Sequence, residues 1–553
     1  MASGTSSVDV VVVGAGFAGI YALYRLRGLG LSVRVFETGD NVGGTWYWNR
    51  YPGARVDVPS LFYSYSFSSE LQQEWSWPET YSAQPELLRY AEEVADRFDL
   101  RRDIAFETTV VRAAYDDLAA RWTIETDRGD RVSARYFVTA AGCLSATNVP
   151  DFNGIESFRG KWYHTSRWPK EGVDLAGKRV GVVGTGSSGI QAIPVIAEQA
   201  AHLFVFQRTP NYSFPSNTQP MEPEAEREWK AHYDEHRAKD RVSYAGQHFE
   251  PIDRSALDVS DEERTRRYEA MWTQGAFGVL QSFNDLRTNL EANETAAEFL
   301  RSQIRRIVRD PDVAERLCPK DHPVGTKRPC LDVGYYETFN RANVTLVDVR
   351  ADPIEEITPA GLRTTRASYD LDVIVFATGF DAMTGPLLRM NISGRNGLTL
   401  AEKWHAGPRT YLGLATVDFP NLFMITGPGS PSVLASMIMA IEQHVDWIAE
   451  AITYLDDHSY DVIEPTAEAE DAWVDHVNSV ADSTLFPLAN SWYLGANIPG
   501  KPRVFLPYAG GLGTYRAKCD EVAANGYEGF ALRRISTREP AATTSGPEPG
   551  ELG

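Results

Sequence analysis

Two segments of this chain are near-copies of one another. Val10-Val-Val-Val-Gly-Ala-Gly-Phe-Ala-Gly19 and Val180-Gly-Val-Val-Gly-Thr-Gly-Ser-Ser-Gly189 align at an offset of 170 residues. Each is a short valine-rich run, a glycine-spaced turn and about 15 residues able to form a helix, closed by a second apolar run at Ser32 to Glu37 or His202 to Gln207. Apolar runs of this kind suit parallel strands covered on both faces. Parallel strands need a crossover, so each segment predicts a right-handed βαβ unit with its glycine turn at the carboxyl edge of a sheet. Pro194 falls inside the second helix, where it removes one backbone hydrogen bond, and predicts a kink or an early start there.

The expected fold is therefore α/β, with two Rossmann-like dinucleotide-binding domains. The second unit is nested inside the chain of the first. The expected division is a first domain over 1–150 and 381–537, a second over 151–380, and a disordered tail over 538–553, rich in Pro, Gly, Thr and Glu. Between about 215 and 325 the composition shifts toward Glu, Arg, Ala, Trp and Gln. Phe299, Leu300, Ile304, Ile307 and Val308 recur there at helical spacing, so a helical insertion packed on the second domain is predicted.

In Gly14-x-Gly16-x-x-Gly19 the first glycine permits the turn and the second lets the backbone approach a pyrophosphate. The third lets helix and strand pack closely, while the helix N-terminus faces the negative charge. Glu37, at the end of the next strand, is placed to accept from a ribose 2′-hydroxyl. The second unit, Gly184, Gly186, Ser187, Ser188 and Gly189, has Gln207 in the matching place, followed by Arg208 and Thr209. A carboxylate there would repel a 2′-phosphate, whereas a guanidinium pairs with it, so this site is expected to take NADPH. One adenine dinucleotide that accepts a hydride and one NADPH make a flavin-dependent NADPH oxidoreductase the economical expectation, with FAD on the first turn.

Composition narrows the chemistry. Lys and Arg number 54 against 75 Asp and Glu, a net charge of −21, which disfavours a nucleic-acid partner. Cys143, Cys318, Cys330 and Cys519 form no C-x-x-C, so a disulfide reductase and a zinc knuckle are not expected. No metal is expected: neither an H-x-x-x-H nor an H-E-x-x-H spacing is anticipated among the ten histidines. A G-x-S-x-G nucleophile elbow is also missing. The polar N-terminus and the lack of a long apolar run predict a cytoplasmic protein without a membrane span. A monomer is compatible with all of this.

Phe158-x-Gly160-x-x-x-His164-x-x-x-Trp168-Pro169 lies just ahead of the second glycine turn. It resembles the fingerprint of the type I Baeyer-Villiger monooxygenases, and Trp168-Pro169 separates it from the related fingerprint of nitrogen and sulfur oxidisers, which ends in an aromatic and a basic residue. Gly43 to Asp57, Lys327-Arg-Pro, Gly334-Tyr-Tyr-Glu-Thr, Ala377-Thr-Gly379-Phe380 and Ser491 to Lys501 are similar to further family segments.

The resemblance implies that FAD, NADPH and O2 convert a ketone to an ester or lactone through a flavin C4a-peroxide. It implies Arg328 as the essential fixed positive charge, Asp57 as the carboxylate that holds it, and Lys327 as a second cation for the 2′-phosphate. It places Gly44, Thr45, Trp46 and Tyr63 around the flavin and Trp492 against the nicotinamide nucleotide. His164 and Trp168 are expected to set the relation between the two domains. Gly427 to Met437 is similar to the substrate-side loop of the phenylacetone and steroid monooxygenase branch. The competing expectations are a nitrogen or sulfur oxygenase and a flavin/NADP redox-binding protein without turnover.

Overall fold

The computed structural model describes residues 6–248 and 252–535. Ser6–Val13 is the central strand of an eight-stranded sheet, parallel to Val33–Phe36 on one side and Arg131–Thr139 on the other. Beyond these lie Ile104–Ala105 at one edge and the antiparallel pair Val110–Asp116 and Arg121–Thr126 toward the other. Two strands from far down the chain complete it. Leu422–Met424 pairs with Phe137 to Thr139, and Ile392–Ser393 pairs with Ala113 and Ala114.

The second sheet has five parallel strands in the order Val344–Asp348, His202–Gln207, Arg179–Val183, Val373–Phe376, Lys161–His164. Val10, Val11, Val12, Val180 and Val182 are fully buried, as strands covered on both faces require.

The internal repeat holds in three dimensions. Gly14 and Gly184 take φ of +102° and +109°, a region open to glycine. A side chain on either would run into the carbonyl of Ala140 or Ala377, the residue that follows a neighbouring parallel strand in each sheet. A Cβ on Gly19 or Gly189 would fall on the carbonyl of Gly14 or Gly184, so helix and turn touch there.

The crossover helices are Phe17–Gly28 and Ser187–Gln199. The second runs through Pro194 as one continuous helix and begins at Ser187, the position equivalent to Phe17, so it does not start early. Proline removes a single bond, and Ile190, Ile193, Ile196 and Ala197 on both sides of it are fully buried against the sheet, so packing outweighs the loss.

The insertion leaves and re-enters through a neck where Ser213–Pro215 pairs with Cys330–Asp332. It is not one body on one domain. Leu290–Ile307 buries Phe299 and Leu300 against Tyr212 and Phe214, while Ile304 and Val308 join the core of the five-stranded sheet. The earlier helices, Pro223–Ala231 and Tyr233–Val242, turn the other way. Glu226 accepts from the Trp77 backbone, and Lys230 and Gln73 exchange hydrogen bonds with each other's carbonyls. The last described strand, Phe530–Arg533, pairs with Val462–Pro465. The tail expected to be disordered lies outside the described residues.

Candidate active site

The first glycine turn is backed by the short helix Thr45–Trp48, whose N-cap is Gly44 at φ +52°. The Gly16 and Gly44 backbones approach so closely that a Cβ on Gly44 would stand 2.7 Å from Gly16 Cα. Glu37 is buried, its two oxygens accepting the Ala15 and Gly39 backbone N–H groups, each at 2.7 Å. Burial pushes its carboxyl up while these bonds hold it down. Glu37 therefore also locks the turn, beyond the ribose contact expected of it. The bare backbone around Gly14, Gly16 and Gly44 at a helix N-terminus fits a pyrophosphate. Trp46 donates from its indole to the Tyr63 hydroxyl at 3.1 Å.

Arg328 arrives from the return side of the insertion, two residues before the neck strand Cys330–Asp332. Its Nε and Nη2 donate to Asp57 Oδ2 at 3.0 and 2.6 Å, and its Nη1 donates to the Val433 carbonyl in the loop Gly427 to Met437. The side chains of Arg328 and Asp57 are 26% and 25% exposed, so the pair is shielded yet reachable. Burial alone would weaken the guanidinium's hold on its proton. Asp57 and the buried Tyr493 hydroxyl more than reverse that, and Arg328 stays charged. Tyr493, one residue beyond Trp492, is itself pushed up to about 12, chiefly by burial. Trp492 is half-buried with its ring 4.4 Å from that of Tyr493.

The second turn is coupled to the same arginine. The Ser187 hydroxyl, at the N-terminus of Ser187–Gln199, lies 3.2 Å from Cys330 Sγ, and Asn211 donates to the Arg328 carbonyl at 3.1 Å. Gly53 packs so tightly on Gln191 that a Cβ there would fall on its carbonyl, while Tyr51 donates to the Gln191 side chain at 2.8 Å. The turn carrying Asp57 thus sits directly on the second crossover helix.

A cation cluster stands at the end of His202–Gln207. Lys327 is lowered first by burial and then by the positive charges of Arg208 and Arg350, with Asp321 opposing. Arg350 donates to Asp321 at 2.6 Å and to the Thr209 hydroxyl at 3.2 Å. Three cations and one counter-charge fit a phosphate dianion. Arg350 was not expected. Its signal lies two residues past Val344–Asp348, at the carboxyl end of the strand beside His202–Gln207. Tyr493 was missed as well, although it adjoins Trp492 within a segment already noted.

His164 is buried beside Thr378, the residue before Gly379, which takes φ +77°. Its Nε2 is 3.2 Å from the Thr378 hydroxyl, and its Nδ1 accepts from the Ser166 backbone at 3.1 Å. Ser166 in turn meets Thr147, and Thr378 donates to the Asn148 carbonyl, so this histidine ties together the chain segments crossing between the sheets. Trp168 packs on Tyr163 within the core of the second sheet. Burial pulls His164 down to about 4 from an ordinary value near 6.5. A depressed histidine stabilises the fold above pH 6.5, and that contribution is lost as pH falls toward 4. Urea unfolding of the wild type and His164→Asn over pH 7 to 4 should show the variant losing less stability across this window, by on the order of 3 kcal/mol. Equal slopes would contradict it.

His232-Tyr-Asp-Glu-His236 does carry the H-x-x-x-H spacing of a helical metal pair, contrary to the expectation that no such spacing occurs. His236 stacks on Trp229 at 3.7 Å and His232 Nδ1 faces the Glu228 carbonyl. Among the described residues no three side chains form a metal-binding group. Nor is any described helix long and apolar enough to cross a membrane.

Two dinucleotide-type glycine turns and one charge-locked guanidinium fit an oxidoreductase that uses two nucleotide cofactors. The family model of flavin-binding monooxygenase-like proteins matches residues 7–217. A Baeyer-Villiger monooxygenase of Pseudooceanicola batsensis is 46% identical over 536 residues, covering 96% of this chain and 97% of the relative. Cyclohexanone 1,2-monooxygenase of Acinetobacter sp. is 42% identical over 539 residues, covering 96% and 98%. Among solved structures, oxidized steroid monooxygenase bound to NADP superposes with a TM-score of 0.92 at 56% identity, over 96% of this chain and 100% of that one. The chain belongs to the Baeyer-Villiger monooxygenases. FAD and NADPH are its cofactors, and it inserts one atom of O2 beside a ketone carbonyl to give an ester or lactone.

Proposed function

We propose that the Asp57–Arg328 pair is the catalytic centre and that the substrates are bulky aromatic or polycyclic ketones. The observation that carries the first part is the fork of Arg328 on Asp57 and Val433, within one hydrogen-bonded layer of the second glycine turn. The second part is supported by the 56% identity to a steroid monooxygenase and by the loop Gly427 to Met437, whose Val433 carbonyl reaches the catalytic guanidinium.

FAD, when bound, supplies the redox chemistry: it takes a hydride from NADPH and activates O2. The protein's part is to bind, orient and hold charge. Gly14, Gly16, Gly19, Gly44 and Thr45 present backbone to the FAD pyrophosphate, with Trp46 and Tyr63 against its ring. Gly184, Gly186, Ser187, Ser188 and Gly189 do the same for NADPH, and Arg208, Thr209, Lys327 and Arg350 take its 2′-phosphate. Gly379 and Trp492 bound the nicotinamide side. Arg328 remains protonated beside the reacting oxygen, lowering the cost of negative charge there and on the ketone oxygen as it becomes tetrahedral. Asp57, Val433 and Tyr493 fix the guanidinium so that it does not reorganise during the reaction. His164 and Trp168 set the angle between the two nucleotide units. Those units are residues 1–150 with 381–537, and 151–380, a division supported by the late strands Ile392–Ser393 and Leu422–Met424 joining the first sheet.

The test is NADPH consumption with an open-chain, an aryl, a monocyclic and a steroidal ketone, with products identified. The aryl or steroidal ketone is expected to give the highest kcat/KM and an ester or lactone. A clear preference for the small ketones would overturn the substrate class. N-oxidation of a tertiary amine with no ester from any ketone would overturn the reaction as well.

A further inference from the structure

We propose that Arg237 is a positioning residue for the flavin side of the active site, acting through Tyr63. This rests on the reading that Tyr63 stands against the flavin. Arg237 lies on the insertion helix Tyr233–Val242, yet its guanidinium is buried in the FAD-side body, with the residue 3% exposed. Nη2 donates to the Ser64 carbonyl and to the Ser64 hydroxyl, both at 2.8 Å. Nη1 donates to the Phe62 carbonyl at 3.2 Å and lies 3.7 Å from Met439 Sδ. The two carbonyls it grips belong to the residues on either side of Tyr63.

Other contacts tighten the same grip. The Phe62 ring lies 4.7 Å from Trp229 and 6.0 Å from His248, and His236 stacks on Trp229. Two residues past Ser64, the Ser66 backbone and hydroxyl donate to buried Glu442 at 2.6 and 2.7 Å. Burial pushes Glu442 up, and the charge of Arg237 acts against that. The loop carrying Tyr63 is therefore pinned at one end by a buried cation and at the other by a buried anion. Tyr63, so held, receives the Trp46 indole N–H and lies within the electrostatic field of Asp57 and Arg328.

Packing alone does not account for an arginine here. A buried guanidinium is expensive unless its geometry is used, and an apolar side chain of similar volume would fill the space at lower cost. A planar fork spans two carbonyls and a hydroxyl at once, which a lysine ammonium does not. Small displacements at a reacting centre are costly, so a residue that fixes the height of one aromatic wall belongs to the catalytic geometry.

Lys230 supplies the internal control. It is also buried, pairs with Glu226 at 3.2 Å and joins the neighbouring insertion helix to the same body through the Gln73 carbonyl at 3.0 Å and Ser76 at 3.3 Å, but among the described residues its hydrogen bonds reach neither Phe62 nor Ser64.

The experiment uses the FAD-loaded enzyme and compares Arg237→Lys, the double variant Arg237→Met with Glu442→Gln, and Lys230→Met. The double variant removes both buried charges together, so that neither is left uncompensated. Three readouts separate the roles: the visible spectrum of the flavin, the fraction of NADPH recovered as oxygenated product rather than hydrogen peroxide, and the melting temperature. Both Arg237 variants should shift the spectrum and lose about tenfold in coupled turnover while the flavin is still reduced by NADPH. Lys230→Met should lower the melting temperature with spectrum and coupling unchanged. Adding Tyr63→Leu to the double variant should cost little more than Tyr63→Leu alone, because the two changes act on one element. Wild-type coupling and spectrum in the Arg237 variants would overturn the proposal, as would the same defect in Lys230→Met. If Tyr63→Leu alone leaves spectrum and coupling unchanged, the placement of the Tyr63 ring falls and takes the proposal with it, an outcome distinct from silent Arg237 variants.

Discussion

Replacing Arg328 with alanine is expected to leave an enzyme whose flavin is still bleached by NADPH but which forms almost no ester or lactone. Product turnover should fall by about a thousandfold, the scale seen when a preorganised charge partner of a developing anion is removed. Arg328→Lys should recover only a small part, since one ammonium does not reproduce the fork on Asp57 and the Val433 carbonyl. NADPH oxidation should continue in both variants, with its electrons appearing as hydrogen peroxide. Rapid-mixing spectroscopy separates the steps: flavin reduction at the wild-type rate with product lost assigns Arg328 to the oxygen half of the cycle. A wild-type yield of ester from Arg328→Ala would remove it from the mechanism.

The second large effect concerns coenzyme choice. Lys327→Ala and Arg350→Ala should each raise the KM for NADPH by about ten- to a hundredfold, the worth of one charge-assisted hydrogen bond, with kcat at saturation largely kept. Arg208→Ala should behave alike. Kinetics with NADH, which has no 2′-phosphate, should hardly change, so the preference for NADPH narrows by the same factor. Arg350 is the most informative of the three because it is held by Asp321 and Thr209 in the structure and must divide its donors between them and a phosphate. Asp321→Asn should therefore tighten NADPH if the carboxylate competes for Arg350. An unchanged ratio of NADPH to NADH kcat/KM in Arg350→Ala would exclude it from the cluster.

Much of this architecture is legible in the sequence because its signals are short-range. A valine run, a glycine turn and a closing apolar run fall within about 27 residues, and Gly14, Gly19, Gly184 and Gly189 are needed for contacts within their own unit or with one neighbouring strand. What is not legible comes from afar. The Val433 carbonyl that receives Arg328 is a backbone group, and every residue has one; only the folded loop makes that one special. Tyr493 and Arg350 are polar residues whose meaning depends on which strand or loop lies beside them. Glu37 shows the reverse error of emphasis: its position predicts a ribose contact, but its two backbone hydrogen bonds equally make it a lock for the turn. At Pro194 the cost of one lost bond is local and legible, whereas the burial of Ile190, Ile193 and Ile196 that keeps the helix continuous is not. The helical insertion was recognised by composition, but composition carries no direction, and so could not tell that Pro223–Ala231 and Tyr233–Val242 grip one body while Leu290–Ile307 packs on the other.

The way the two sheets share the chain also bears on how the protein is made. On a ribosome the five-stranded sheet has its last strand once Phe376 has emerged, whereas the sheet begun at Ser6 must wait for Leu422–Met424 to cover the Phe137–Thr139 edge. For that interval the older half of the molecule carries an unpaired, apolar strand edge of the kind that recruits other chains. Slowing synthesis between codons 380 and 420 should therefore lower soluble yield more than the same delay after codon 480, when Leu422–Met424 has left the ribosome.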